Sequence, residues 1–229
     1  MGGRVGFLAL CLGTLFSIGC GSSSSSSNTA QVRILEAAVG APSVNILVDG
    51  ATVTSNLGYG SATAYLTVKS GSRHVQAVPV GGGSPIIDQT LSLTASSNQT
   101  LLITGTSSSI HTVVLTDGGT TATTGDGHVR VFNASSTMVA SDVYIVPPGT
   151  SLVGVTPVTK TTPLGFDGNT DYQLVPVGNY EVFLTVPNTT TVNLGTGPLN
   201  LSAGTNSNQT VVVFDATAGG FAYILFTDQ

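Results

Sequence analysis

Apolar and polar positions alternate with a period of two in short runs along this chain. Val32 and Ile34 stand against Arg33 and Leu35, Val44, Ile46 and Val48 stand against Asn45 and Leu47, and Val75 and Ala77 face away from His74 and Gln76. This is the pattern of strands with one side turned to a core. The runs are rich in Val, Ile, Thr and Leu. Clusters of Gly, Pro, Asn and Ser separate them every 8–14 residues, a spacing that predicts β-sandwiches. No 12-residue window carries a capped helical period.

The runs also repeat. Val32-Arg33-Ile34-Leu35-Glu36-Ala37 returns as Val129-Arg130-Val131-Phe132-Asn133-Ala134, Leu57-Gly58-Tyr59 as Leu164-Gly165-Phe166, and Tyr65 as Tyr172. Gly71 returns as Gly178, and Asn98-Gln99-Thr100 returns unchanged as Asn208-Gln209-Thr210. The offset grows from 97 to 110 residues without breaking the order, which reads as two copies with loop insertions in the second. The expected organisation is all-β: two tandem immunoglobulin-like antiparallel sandwiches, residues 31–117 and 128–229, joined by a Gly/Thr-rich linker, residues 118–127. Seven strands are expected in each copy. They fall near 31–36, 43–48, 62–68, 73–80, 86–93, 98–104 and 110–116, then near 128–133, 141–147, 170–175, 179–186, 192–201, 208–214 and 221–227.

The first residues carry a different pattern. Arg4 precedes an apolar run from Val5 to Ile18, too short to span a bilayer and suited to an export signal. It ends in Ser17-Ile18-Gly19-Cys20, which resembles a lipobox with Ser17 in place of the usual Leu. Residues 1–19 are therefore read as a lipoprotein signal peptide, with Cys20 as the lipidated N-terminus of the mature chain. Residues 20–30, with the Ser22–Ser27 run, are read as a tether. More than one acyl chain on Cys20 would hold the protein stably at a membrane. Gly21, where an Asp would signal inner-membrane retention, favours the outer membrane. With Cys11 in the signal and Cys20 lipidated, the domains hold no thiol for a disulfide or a nucleophile.

Composition narrows the function. Six Lys and Arg against 11 Asp and Glu give a net charge of −5, so no basic footprint for nucleic acid exists. Charged residues make up only 7%, yet 41% hydrophobic content supplies a core. His74, His111 and His128 sit in strand-like runs away from any nucleophile motif, and no G-x-S-x-G elbow occurs. They are expected to face solvent. No cofactor motif is found. The one metal candidate is calcium at Asp167-Gly168-Asn169-Thr170-Asp171. Asp167, Asn169 and Asp171 reproduce the first half of an EF-hand loop, without its Gly and its closing Glu. The plainer reading is a turn, which Asp and Asn stabilise through their own side chains. Tyr59, Tyr65, Phe166 and Tyr172 recur as pairs, which suggests a role in the fold.

One stretch also carries a family resemblance. Val32-Arg33-Ile34-Leu35-Glu36-Ala37-Ala38, then Ala41-Pro42-Ser43-Val44-Asn45-Ile46-Leu47-Val48-Asp49-Gly50, resembles the opening of the domain-of-unknown-function 4397 family, V-R-x-x-H-A-S-P-D-A-P-x-V-D-V-Y-V-D-G. Leu57-Gly58-Tyr59-Gly60 is similar to the family's following L-x-Y-G turn. Glu36 stands where the family often has His, and Asn133 stands there in the second copy. The resemblance implies secreted or envelope-attached β-sandwich domains, often in tandem, and brings no catalytic residues.

The expected protein is a non-enzymatic cell-envelope lipoprotein, periplasmic or surface-exposed. It would be held to the membrane by its N-terminal lipid and would bind or display a protein or polysaccharide ligand. The alternatives are a structural spacer of the envelope and an enzyme acting on envelope polysaccharide.

Overall fold

The structure is a computed structural model that describes residues 28–118, 125–159, 161–201 and 208–228. The described residues form strands and no helix. In the first half these are β1 (Thr29–Glu36), β2 (Val44–Val48), β3 (Ala51–Leu57), β4 (Ser61–Ala62), β5 (Leu66–Lys69), β6 (Gly71–Pro79), β7 (Ile87–Leu93), β8 (Asn98–Thr106) and β9 (Ser109–Asp117). The second half holds β10 (Asp126–Asn133), β11 (Asp142–Val146), β12 (Gln173–Pro176), β13 (Gly178–Thr185), β14 (Val192–Gly195), β15 (Leu199–Leu201), β16 (Asn208–Asp215) and β17 (Phe221–Asp228).

One sheet of the first half runs β4-β1-β8-β9, with β5 also on β1, and the other runs β3-β2-β6-β7. Every pairing is antiparallel except β1 with β8, which align in parallel from Gln31↔Asn98 to Glu36↔Ile103. The second half repeats the pattern. Its sheets run β12-β10-β16-β17 and β11-β13-β14, with β15 on β13, and β10 and β16 pair in parallel from His128↔Asn208 to Asn133↔Val213. A parallel pair needs a long crossover, and the strands of the opposite sheet supply it.

Among the described residues, three of four apolar clusters pack sheet against sheet. The first lies between the two sheets of the first half and includes Val32, Ile34, Val44, Ile46, Val75 and Leu101. The second fills the same place in the second half, around Val131, Val143, Val182 and Val211. A third joins the halves: Leu35, Ala37, Leu102 and Leu115 from one meet Phe132, Val212, Phe214 and Phe226 from the other. The central strands are therefore covered on both faces, and all eight residues of β16 are buried. β17 is an edge strand by pairing, with Phe226 and Ile224 on the seam and Tyr223 and Leu225 on the second core.

The halves lie side by side with their ends level. Where β1 and β10 begin, Asp117 and Asp228, near the ends of β9 and β17, meet Arg33 and Arg130. Where β1 and β10 finish, Tyr59 reaches Asp215 and His111 reaches Asp167 across the seam. We call the first end the base, since Asn28 is there, its carbonyl accepting from Ser70 N. The other is the far pole.

Several boundaries differ from the sequence pattern. β3 carries little alternation because it is a largely exposed edge strand, ATVTSNL. The Asp49-Gly50 pair between β2 and β3 does form a two-residue turn, both residues having positive φ (51° and 80°). The run expected at 192–201 is two strands, split at Thr196–Pro198 where Gly197 takes a φ of 68°. β10 starts at Asp126, inside the segment read as linker, of which residues 119–124 lie outside the described ones.

Candidate functional site

At the base, two arginines and two aspartates cross the seam. Arg33 Nη2 donates to Asp228 Oδ1 at 2.7 Å, and Arg130 Nη2 donates to Asp117 Oδ1 at 2.7 Å. Each arginine also reaches the other aspartate, at 3.4 Å for Arg33–Asp117 and 3.9 Å for Arg130–Asp228. Thr100 and Tyr65 donate to Asp117 Oδ2, and Thr210 and Tyr172 donate to Asp228 Oδ2. The Arg33 guanidinium lies 3.8 Å over the Phe226 ring and the Arg130 guanidinium 4.5 Å over the Tyr172 ring. All four charges are buried. Charges in such a site persist only when paired and hydrogen-bonded, and here each carboxylate has several donors. Burial comes first in pushing the Tyr172 phenol up to about 12, with the Asp228 charge adding, so it stays a donor. The two sets are copies of each other, exchanged across the seam.

At the far pole the seam is lined differently. Tyr59 donates to the Asp215 carbonyl at 2.5 Å and stacks edge-on against Phe214. Asp215 accepts from Ser135 Oγ, from Ser136 N and Oγ and from Thr137 Oγ1. Burial acts to raise its carboxyl, but these donors outweigh it and hold it below the usual range. A cleft of about 340 Å³ opens beside this contact, with Val39, Gly40, Ala41 and Tyr59 on one wall and Asp215, Ala216 and Thr217 on the other. On the outer face of the second half, a wider groove of about 710 Å³ runs between the Leu152–Pro157 loop and the Asn188–Thr191 turn. Asp142 lies in its floor and accepts from Asn188 N. The groove exists because β11 lacks a neighbour like β3. Residues 147–159 run along that edge instead, through Val158 N to the Val143 carbonyl, and Leu152 and Val155 pack on Tyr144 and Phe183.

The family model described as a domain of unknown function (DUF4397) matches residues 30–144. The chain belongs to the DUF4397 family. No curated protein matches it. The DUF4397 match does not stop with the first half. It runs through β10 to Tyr144 in β11, so it takes in both seam arginines and Asp117. In the DUF4397 opening motif, the position of the family's frequent His is Glu36, which is fully buried with Oε1 accepting from Ala38 N. Its counterpart Asn133 accepts in the same way from Ser135 N.

Cys20 and residues 21–27 of the tether lie outside the described residues, while Thr29 and Ala30, read as the end of the tether, are the first residues of β1, paired with Lys69 and Val68. Asp167 takes a φ of 58° in the turn after Phe166, and its carboxylate accepts from Thr104 Oγ1 and contacts His111 Nε2 at 2.6 Å. The Asn169 amide donates to the Thr170 carbonyl, and Asp171 is exposed. Of the three residues read as a calcium candidate, Asp167 and Asn169 thus engage different partners and Asp171 faces solvent. Among the described residues, no group of three or more His, Cys, Asp and Glu converges as metal ligands would. His74 is exposed against Asp88. His128, expected to face solvent, is buried and packs edge-on against Tyr172. It lies on the seam face of β10, which the alternation cannot distinguish from a solvent face. The seam charges were also legible only as polar positions. Their signal is recurrence: in a chain with few charges, Arg33 returns as Arg130 and Asp117 as Asp228.

Proposed function

We propose that this chain is a lipid-anchored protein of the bacterial cell envelope, on the outer membrane, that presents two tandem immunoglobulin-like sandwich domains for non-enzymatic binding of a protein or polysaccharide. The observation that carries this reading is the level, side-by-side packing of the halves. The described chain begins at Asn28, at the base, and the seam cleft and the second-half groove open at or near the far pole. A tether from Cys20 would therefore hold the base toward the membrane and turn both openings away from it. Strands of eight residues set the far pole about 27 Å from the base. A spacer gains reach by stacking domains end to end, and this arrangement gives that reach up.

Hydrolysis of a polysaccharide needs two carboxyl groups facing across a cleft. The far-pole carboxylates Asp142, Asp167 and Asp215 are instead each held by a separate set of partners. This favours binding over hydrolysis.

Protease shaving of intact cells tests the reading, with Cys20→Ala as the anchor control. The wild type should sediment with membranes, and Cys20→Ala should appear in the soluble fraction. Digestion without lysis would place the binding surface outside the cell, and protection until the outer membrane is opened would place it in the periplasm. Membrane attachment that survives Cys20→Ala would overturn the lipoprotein reading.

A further inference from the structure

Glu36 is a carboxylic acid with no exposed surface, and its Oε2 has no hydrogen-bond partner. Its Oε1 accepts from Ala38 N at 2.8 Å, and its carbonyl accepts from Gly60 N at 2.8 Å. It therefore touches two segments, the first through its side chain and the second through its backbone. The first is the 37–41 turn, which gives the seam cleft Val39, Gly40 and Ala41. This turn is also bonded to β8, through Ala37 N to the Ile103 carbonyl and Val39 N to the Gly105 carbonyl. The second is the 58–60 turn, which gives the cleft Tyr59.

We propose that Glu36 is a proton-operated latch on the seam cleft: protonated, it holds the 37–41 turn closed, and ionised, it releases the turn to water. A buried carboxylate that meets a single N–H has lost most of its hydration and regains it only if the side chain or the turn moves out. Nothing nearby offers a compensating charge. The strands β2, β3, β4 and β8 and the turns 37–43 and 58–60 contain no Asp, Glu, Lys, Arg or His. The charged or titratable side chains of β6, β7 and β9, which close the same core, are engaged elsewhere: Arg73 with Asp49, His74 with Asp88, His111 with Asp167 and Asp117 with Arg130. The titratable group that the turns bring is Tyr59, which burial and then the charges of Asp215 and Glu36 push up to about 12, so it stays neutral. Asp215, which acts on the same Tyr59 phenol, carries the same sign as an ionised Glu36. Arg33, on β1 itself, lies on the seam face, bonded to Asp228. Burial, opposed by the Ala38 N–H, places the Glu36 carboxyl at about 7, so the transition falls near neutral pH.

The second half supplies an internal control. Asn133 occupies the same position, makes the same bond to the Ser135 N–H and does not titrate.

Amide hydrogen exchange on the soluble Cys20→Ala chain tests this from pH 5 to pH 8.5, with the Glu36 carboxyl carbon followed by NMR. The comparison is between the amides of Ala38 and Gly60 and those of Ser135 and Met138. After correction for intrinsic exchange, protection at Ala38 and Gly60 should fall at least tenfold, with the midpoint of the Glu36 carboxyl titration. Protection at Ser135 and Met138 should not change. In Glu36→Gln, Ala38 and Gly60 should keep their protection throughout. A Glu36 titration below pH 5, or equal loss at all four amides, would overturn the proposal. So would a fall at Ala38 that persists in Glu36→Gln. If Glu36→Gln does not fold, the carboxyl midpoint and the Asn133 control still decide the matter.

Discussion

Arg33 and Asp228 are 195 positions apart, near opposite ends of the described chain, and meet at 2.7 Å in a buried contact. Arg130 and Asp117 make the same contact in reverse, only 13 positions apart. One pair closes the chain over its whole length and the other closes it over the linker. Together they fix the register of the two halves.

Removing one member should strand a buried charge. Asp228→Ala and Asp117→Ala are each expected to destabilise the protein by about 3–5 kcal/mol, read from urea midpoints. The double variant should lose less than the sum, because the two sites share both arginines. Replacing all four charges with apolar residues of similar size should recover much of the loss.

Stability should fall as pH rises through the neutral range. The Glu36 carboxyl is raised from 4.5 to about 7 in the folded chain, so folding takes up a proton there. Its contribution is fully present below about pH 4.5 and is gone above about pH 7. The loss is on the order of 3 kcal/mol, from about 1.4 kcal/mol per unit. Glu36→Gln should flatten the profile between these limits. Asp215 acts in the opposite sense: its carboxyl is lowered from 3.8, so its contribution is lost only as pH falls below that range. Urea unfolding at pH 5, 6, 7 and 8 separates the two.

Tyr59→Phe should be mild and Tyr172→Phe should not. Tyr59 donates to a neutral carbonyl, and the matching position in the second half is already Phe166. A loss of about 1 kcal/mol is expected. Tyr172 donates to the buried Asp228 carboxylate at 2.7 Å, and its removal should cost about 1.5–3 kcal/mol. Thermal unfolding of the two variants side by side checks the ranking.

Gly105→Ala should damage the seam from a distance. Gly105 sits near the end of β8 with a φ of 106°, and an added Cβ would collide with the Ser109 carbonyl. The strain and the collision should cost about 1–3 kcal/mol. The β8–β9 hairpin would shift, and with it the contact of His111 with Asp167. Loss of that contact should appear as a change in the His111 ring chemical shifts, read by NMR at one fixed pH.

The strands that the sequence makes plain are those with one apolar face and one polar face, such as β2 and β6. β3 escapes because its side chains are mostly exposed and polar. The seam escapes for a different reason. On β1 the residues opposite the core are Arg33 and Leu35, and on β10 they are Arg130 and Phe132, a mixture that reads as a half-solvated face. Both faces are in fact covered, because the arginine charges are met by aspartates on the other half. Alternation reports which residues share a face, and it does not report what covers that face. The repeat held the missing information, since Arg, Asp, Thr and Tyr of the network all recur in matched positions. The groove of the second half was legible only as an insertion in the second copy, because its shape depends on how residues 147–159 fold back along β11.

Small-angle scattering on the soluble Cys20→Ala chain tests the central claim, the side-by-side locking of the halves, most directly. A body of this size packed as one compact unit should show a radius of gyration of about 17 Å. The same value should hold up to moderate salt, because the pairs across the seam are buried. A value above about 22 Å, as for two domains of that size strung end to end or moving independently, would contradict the account.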